Sequence, residues 1–149
     1  MATLYVSSVD GDNDSPPSEA WWNGNQNTYE SVQGALSAAT DADNTIYVDS
    51  HHDFKGAGIT WNLPGDNSVR IISVDRVSGL WTPGARETID TSVTFTIGGA
   101  VGNYYIYGIY FDTTEGYGIS KHFSIATVVN NVVLEKCTLR CRSTTATHT

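Results

Sequence analysis

His51-His52-Asp53 is the one cluster in the chain with obvious chemistry. Imidazole and carboxylate move protons near neutral pH or hold a transition metal. On an extended segment, however, successive side chains point to opposite faces, so two adjacent histidines do not share one metal ion. The run therefore reads as a solvated turn. Asp10, Asp12 and Asp14 match the first half of a calcium loop, but the sixth loop position is Ser15 where glycine belongs, and the twelfth is Trp21 where a glutamate belongs. No metal or other cofactor is expected.

Polysaccharide cleavage by paired carboxylates needs two acids side by side on one face. Asp49, Asp75, Asp90, Asp112 and Glu135 fall mostly at strand ends or turns, and no Asp-Asp pair occurs. Arg70, Arg76 and Arg86 lie too early in the chain to form a cleft with them. Nucleophile-elbow, P-loop and dinucleotide fingerprints are missing, and Gly98-Gly99-Ala100-Val101-Gly102 links two strands as a turn. No catalytic residue is assigned. Trp21, Trp22, Trp61 and Trp81 all sit near loops, where exposed aromatics stack on sugar rings or anchor a subunit contact. The bland alternative is that their loops fold back over the body of the protein.

These residues must be positioned by a scaffold of modest size. The 149 residues suit one domain, and a chain this long buries roughly 68–70% of its unfolded surface. Hydrophobic residues at 40% and charged ones at 16% argue against disorder, and fourteen glycines point to many turns. A net charge of −8 without a Lys/Arg cluster excludes nucleic acid as a partner. No stretch reaches the ~18 apolar residues of a membrane span. Met1 is followed by a strand-like run with no basic or apolar leader, so synthesis and folding in a cytoplasm are expected. Cys137 and Cys141 on one extended strand stand about 13 Å apart, too far for a disulfide, and read as reduced apolar fillers.

One helix is expected. Thr28 serves as N-cap, with Ser31 where Glu or Gln would complete the capping box, and Tyr29, Val32, Ala35, Leu36 and Ala39 recur at helical spacing. From residue 44 onward the chain reads as all-β, with strands at Thr45–Asp49, Gly58–Asn62, Val69–Val74, Val93–Ile97, Tyr104–Phe111, Phe123–Val129 and Val132–Leu139. Ile46-Tyr47-Val48, Arg70-Ile71-Ile72 and Thr94-Phe95-Thr96 begin 24 residues apart. The run from Asn103 to Phe111 superposes on that from Asn131 to Leu139 without a gap, 28 residues later. One strand per repeat of this length suits a solenoid, in which Asn at a corner tolerates left-handed backbone and ladders with its equivalent. The expected fold is mainly β: a short right-handed parallel β-helix, with residues 1–43 forming strand, loop and capping helix, and 44–149 the coils. An antiparallel β-sandwich is the alternative.

The order of the Leu4-Tyr5-Val6 strand, the Asp-Gly-Asp-Asn-Asp loop, helix Tyr29–Ala39 and Asn44-Thr45-Ile46-Tyr47-Val48 resembles the start of pectate-lyase-like right-handed β-helices. In that superfamily an amphipathic helix plugs the open end of the stack. Within it, the leaderless start, tyrosine-rich coils and acidic polar loops are most similar to virion proteins of tailed bacteriophages: capsid decorations, head fibres or tailspike parts. The resemblance implies a non-enzymatic structural protein on the virion surface, made in the bacterial cytoplasm. Its implied partners are a major capsid or tail protein and its own copies in a homotrimer. Arg142-Ser143-Thr144-Thr145-Ala146-Thr147-His148-Thr149 forms no clear C-terminal cap, so either a partner covers that end or the chain is part of a longer polypeptide. A glycan-binding host-recognition module is the second reading, and a polysaccharide lyase or hydrolase the third.

Overall fold

The computed structural model describes residues 2–8, 28–56, 59–89, 95–99, 102–113, 123–126 and 129–140. Strand β1 (Ala2–Val6) and the two-residue β2 (Thr28–Tyr29) precede helix α1 (Val32–Ala38). Strands β3 (Asp43–Asp49), β4 (Asp53–Gly56) and β5 (Ile59–Leu63) follow, then β6 (Ser68–Val74), β7 (Arg86–Ile89) and β8 (Phe95–Gly99). A further pass gives β9 (Asn103–Tyr107), β10 (Tyr110–Thr113) and β11 (Phe123–Ile125), and the last described strands are β12 (Asn131–Glu135) and β13 (Thr138–Arg140). The strands form a six-stranded sheet in the order β12-β9-β6-β3-β1-β2, a four-stranded sheet β13-β10-β7-β4 and a three-stranded sheet β11-β8-β5. From β3 onward, successive strands visit the three sheets in turn.

All pairing between these strands is parallel. The antiparallel contact among the described residues is an isolated bridge between Val74 and Trp81. An antiparallel sandwich therefore does not describe these sheets. Hairpins pair consecutive strands, whereas here only β1 and β2 are both consecutive and paired.

Register explains the core. Leu4, Ile46, Ile71, Ile106 and Leu134 stack in one row across the six-stranded sheet. Ile59, Phe95 and Phe123 form a second row, and Trp61, Ile97 and Ile125 a third. Each strand turns alternate side chains inward, so the rows from the three sheets meet in one apolar interior. The expected 24-residue recurrence is corrected. Ile46 pairs with Ile71, not Arg70, and Phe95 lies in a different sheet. A one-residue slip would have turned Ile71 out and Arg70 in, at the cost of burying a charge. The 28-residue match holds residue for residue: Asn103 pairs with Asn131 and Phe111 with Leu139.

Two runs expected as single strands are each broken at a corner. Gly108 (φ 73°) and Lys136 (φ 51°), one pass apart, take left-handed backbone and bend the chain from the first sheet to the second. A Cβ on Gly108 would stand 2.9 Å from Cα of Pro83, so this corner has both a backbone and a space requirement for glycine. Asn103 and Asn131 begin strands instead, so the left-handed role expected of asparagine falls to Gly108 and Lys136. The laddering does occur, with Asn131 Nδ2 donating to Asn103 Oδ1 at 2.9 Å.

Helix α1 is shorter than the expected Tyr29–Ala39. Ser31, not Thr28, is the N-cap, its Oγ accepting from the Gly34 N–H at 3.1 Å. Thr28 and Tyr29 instead pair with Tyr5 and Val6, because strand partners satisfy their backbone before the helix begins. Val32, Ala35, Leu36 and Ala39 are fully buried against the core that contains Ile46 and Val48. The helix packs chiefly on β5, and Gln33 Oε1 accepts from the Asn62 N–H at 2.9 Å, occupying a donor on the free edge of that strand. No helix among the described residues is long and apolar enough to cross a membrane.

Leu36→Asp should cost about 2–5 kcal/mol for the lost side chain, with carboxylate desolvation on top. Ser37→Asp, on the exposed side of the same helix, should cost under ~0.5 kcal/mol. Matched thermal melts check this, and equal melting temperatures would mean that the buried face of α1 does not support the core.

Candidate functional site

Alternation along the six-stranded sheet leaves several side-chain rows on its outer face, two of them central. Tyr5, Tyr47, Ile72, Tyr107 and Glu135 form one, and Thr3, Thr45, Arg70, Tyr105 and Val133 the other. Tyr47, Tyr107 and Ile72 pack outside the main core with Val74, Tyr5 and Tyr105. The segment after β6 folds back over this patch and lays Trp81 on it, with ring centroids 5.2 Å from Tyr107 and 6.3 Å from Tyr105. Lys136 Nζ sits 5.5 Å from the centre of the Tyr107 ring.

The fold-back is built around Asp75. Its Oδ1 accepts the N–H groups of Val77 and Ser78 and the Ser78 hydroxyl at 3.2, 2.8 and 2.7 Å. These bonds, the Ser78 N–H foremost, hold the carboxyl below its usual range. Gly79 supplies the left-handed residue, and Val77 and Leu80 stand exposed at the tip.

Beside the aromatic patch runs a groove of about 360 Å³, crossing the starts of four strands. Asp43, Ser68, Arg70, Asn103, Tyr105 and Asn131 are among its lining. Asn131, Asn103 and Ser68 are chained by side-chain hydrogen bonds of 2.9 and 3.3 Å. Tyr105 donates its hydroxyl to Glu135 at 2.7 Å, a bond that chiefly accounts for its phenol being pushed up to about 12. Among the described residues Arg70 makes no ion pair. The described lining thus offers amides, hydroxyls, the Arg70 guanidinium, the Asp43 carboxylate and an aromatic ring.

The two histidines point apart as expected, but the solvated-turn reading holds for His51 alone and is corrected for His52, which the corner between β3 and β4 turns inward. His51 is 77% exposed and lies 3.3 Å from Asp49, whereas His52 is fully buried and meets Glu87 at 3.1 Å. Arg76 also reaches Asp49, at 3.9 Å. Glu87 has no place among the acids singled out from sequence. The available signal was the alternation of Glu87 and Ile89 on one face with Arg86 and Thr88 on the other. No group of three or more His, Cys, Asp or Glu among the described residues is arranged to hold a metal. Cys137 is a free thiol packed partly against the core, where burial pushes its pKa up. Asp10, Asp12, Asp14, Asp90 and Cys141 lie outside the described residues.

The tryptophans separate sharply. Trp61 is corrected from surface contact to core residue: it sits in the middle of β5, 0% exposed, edge-on to Phe95 and Phe111 at 5.1 and 5.3 Å. The alternation Ile59-Thr60-Trp61-Asn62-Leu63 turns every second residue inward, and Trp61 is one of these. Trp81 is 49% exposed and joins the aromatic patch. Trp21 and Trp22 lie outside the described residues. Compared with known protein families, curated proteins and solved structures, the chain matches none.

Trp61→Ala should cost about 3–5 kcal/mol of stability. Trp81→Ala should stay near ~1 kcal/mol and remove most of the quencher-accessible tryptophan signal among these two. Denaturant melts and iodide quenching of the two variants test the division.

Proposed function

We propose that the three parallel sheets are the faces of a short right-handed parallel β-helix, closed at one end by α1. The strand order supports this reading, because one strand per sheet is added on each pass and parallel crossovers are right-handed in about 98% of cases. In function, the chain is a non-enzymatic structural protein of a tailed-bacteriophage virion, made in the bacterial cytoplasm and placed on the particle surface. It packs there on a major capsid or tail protein as a homotrimer.

The observation carrying this reading is the contrast between the two ends. Beneath α1 the inward-facing residues are fully buried. At the opposite end Ile125 and Leu139 occupy the same inward rows as the buried Ile97 and Phe111, yet stand 46% and 51% exposed. Inward-facing apolar residues left half-open suit a part that is covered by protein in its assembly. Purified virions and the isolated protein test the reading together. The chain should be found on the particle surface by mapping, and light scattering should give three copies. A stable monomer that is absent from particles overturns it.

The groove favours a second reading, binding of a host surface glycan. Its amides and hydroxyls match sugar hydroxyls, and Tyr105 and the adjoining Trp81 give ring faces for stacking. Arrayed glycans should bind the protein, and Arg70→Ala and Tyr105→Ala should each lose most of that signal without a change in melting temperature. Uniformly blank arrays, or binding untouched by both substitutions, count against it. A polysaccharide lyase or hydrolase is the reading least supported, because the buried His52–Glu87 contact is inaccessible to a polymer.

A further inference from the structure

Glu87 is a carboxyl in an otherwise apolar row. In the four-stranded sheet it stands between Phe54 on β4 and Phe111 on β10, with Leu139 beyond. Its side chain is 1% exposed and meets two other segments. Oε1 lies 3.1 Å from Nε2 of His52, at the corner between β3 and β4. The carboxyl also takes a hydrogen bond from the backbone of Val32, the first residue of α1. One buried acid therefore ties the helix that closes the stack to a corner and to the middle of a sheet. The other ring nitrogen of His52, Nδ1, is buried with no hydrogen-bond partner among the described residues, so the imidazole is held from one side only.

We propose that the Glu87–His52 pair is a proton-operated latch on α1, closed while the carboxyl keeps its proton and loosened when the proton leaves. The neutral carboxyl can serve both contacts at once: in the Nδ1–H tautomer of His52 its O–H donates to Nε2, while the carboxyl accepts the Val32 N–H. Loss of the proton leaves a carboxylate in the interior between two phenyl rings, where an ionised group is poorly solvated. The titratable groups on the elements packed around it are Glu30 ahead of α1, Asp49 and His51 at the β3 corner, Asp53 and Lys55 on β4, Arg86 on β7, and Tyr110 and Asp112 on β10. Of these, Asp53 acts on Glu87 through space and opposes its ionisation.

Burial raises the Glu87 carboxyl above its ordinary 4.5, and the His52 and Val32 contacts only partly offset that. A carboxyl raised in the folded state contributes stability that is whole below its ordinary value and is lost as pH climbs through the raised one. The carboxyl's own contribution to the latch therefore declines as pH rises through its raised value, the reverse of an ordinary salt-bridged carboxylate.

Infrared titration of the intact protein against Glu87→Gln reads the group directly. A protonated-carboxyl band present in the wild type above pH 4.5 and missing from the variant is expected. Hydrogen exchange of the α1 amides, corrected for the intrinsic pH effect, should quicken in the wild type relative to Glu87→Gln across the same titration. The expected ratio is about tenfold for each unit by which the carboxyl is raised. Glutamine keeps a neutral donor and acceptor, so its melting temperature should lack this pH dependence. Parallel profiles for the two proteins, or no band, overturn the proposal. If Glu87→Gln does not fold, the wild type decides alone: a shared midpoint for the band and the α1 exchange supports the latch, and separate midpoints overturn it.

Discussion

Parallel, in-register pairing is the constraint on which the rest of this molecule depends. A strand in such a sheet lies about 4.8 Å from its neighbour, so each side chain lands on its counterpart one pass earlier. Leu4, Ile46, Ile71, Ile106 and Leu134 become a continuous apolar row by that geometry alone. The same geometry allows an outward row to grow as a surface, which is how Arg70 and Tyr105 come to lie side by side though 35 residues apart. It also concentrates risk, because a misplaced polar group is sandwiched above and below. Glu87 is the group in that position, and its two hydrogen-bonding neighbours, His52 and Val32, are what make its burial tolerable.

The pattern of successes in reading the sequence follows from this. The Asn103–Phe111 and Asn131–Leu139 match was legible because two passes of equal length keep every residue type in phase. Earlier passes carry unequal connections: Asp43 to Ser68 spans 25 residues, but Ser68 to Asn103 spans 35, since the Asp75–Thr82 fold-back is inserted. A fixed period cannot survive that insertion. Strands β4 and β7 were invisible for a different reason. Asp53-Phe54-Lys55-Gly56 and Arg86-Glu87-Thr88-Ile89 are too charged to read as strands, and their identity rests on pairing with each other and with β10.

Side-chain roles were harder to read than elements. Trp61 and Trp81 are chemically identical, and both lie near turns in sequence, yet one fills the core and the other roofs an outer patch. What separates them is the phase of alternation on β5 against the antiparallel bridge that Val74 makes with Trp81. The helix boundary shows a similar competition. Ser31 and Thr28 are both good caps in isolation, and the backbone partners offered by β1 decide between them.

The unequal ends also give the molecule a direction. Each strand contacts mainly the strands it pairs with, so local opening costs least where one neighbour is missing. At the α1 end, opening must first lift a buried helix off β5. At the other end β11, β12 and β13 have partners on one side only among the described residues. Among the described strands, those with a single partner, β11, β12 and β13, should therefore open and exchange their amides before the strands packed beneath α1.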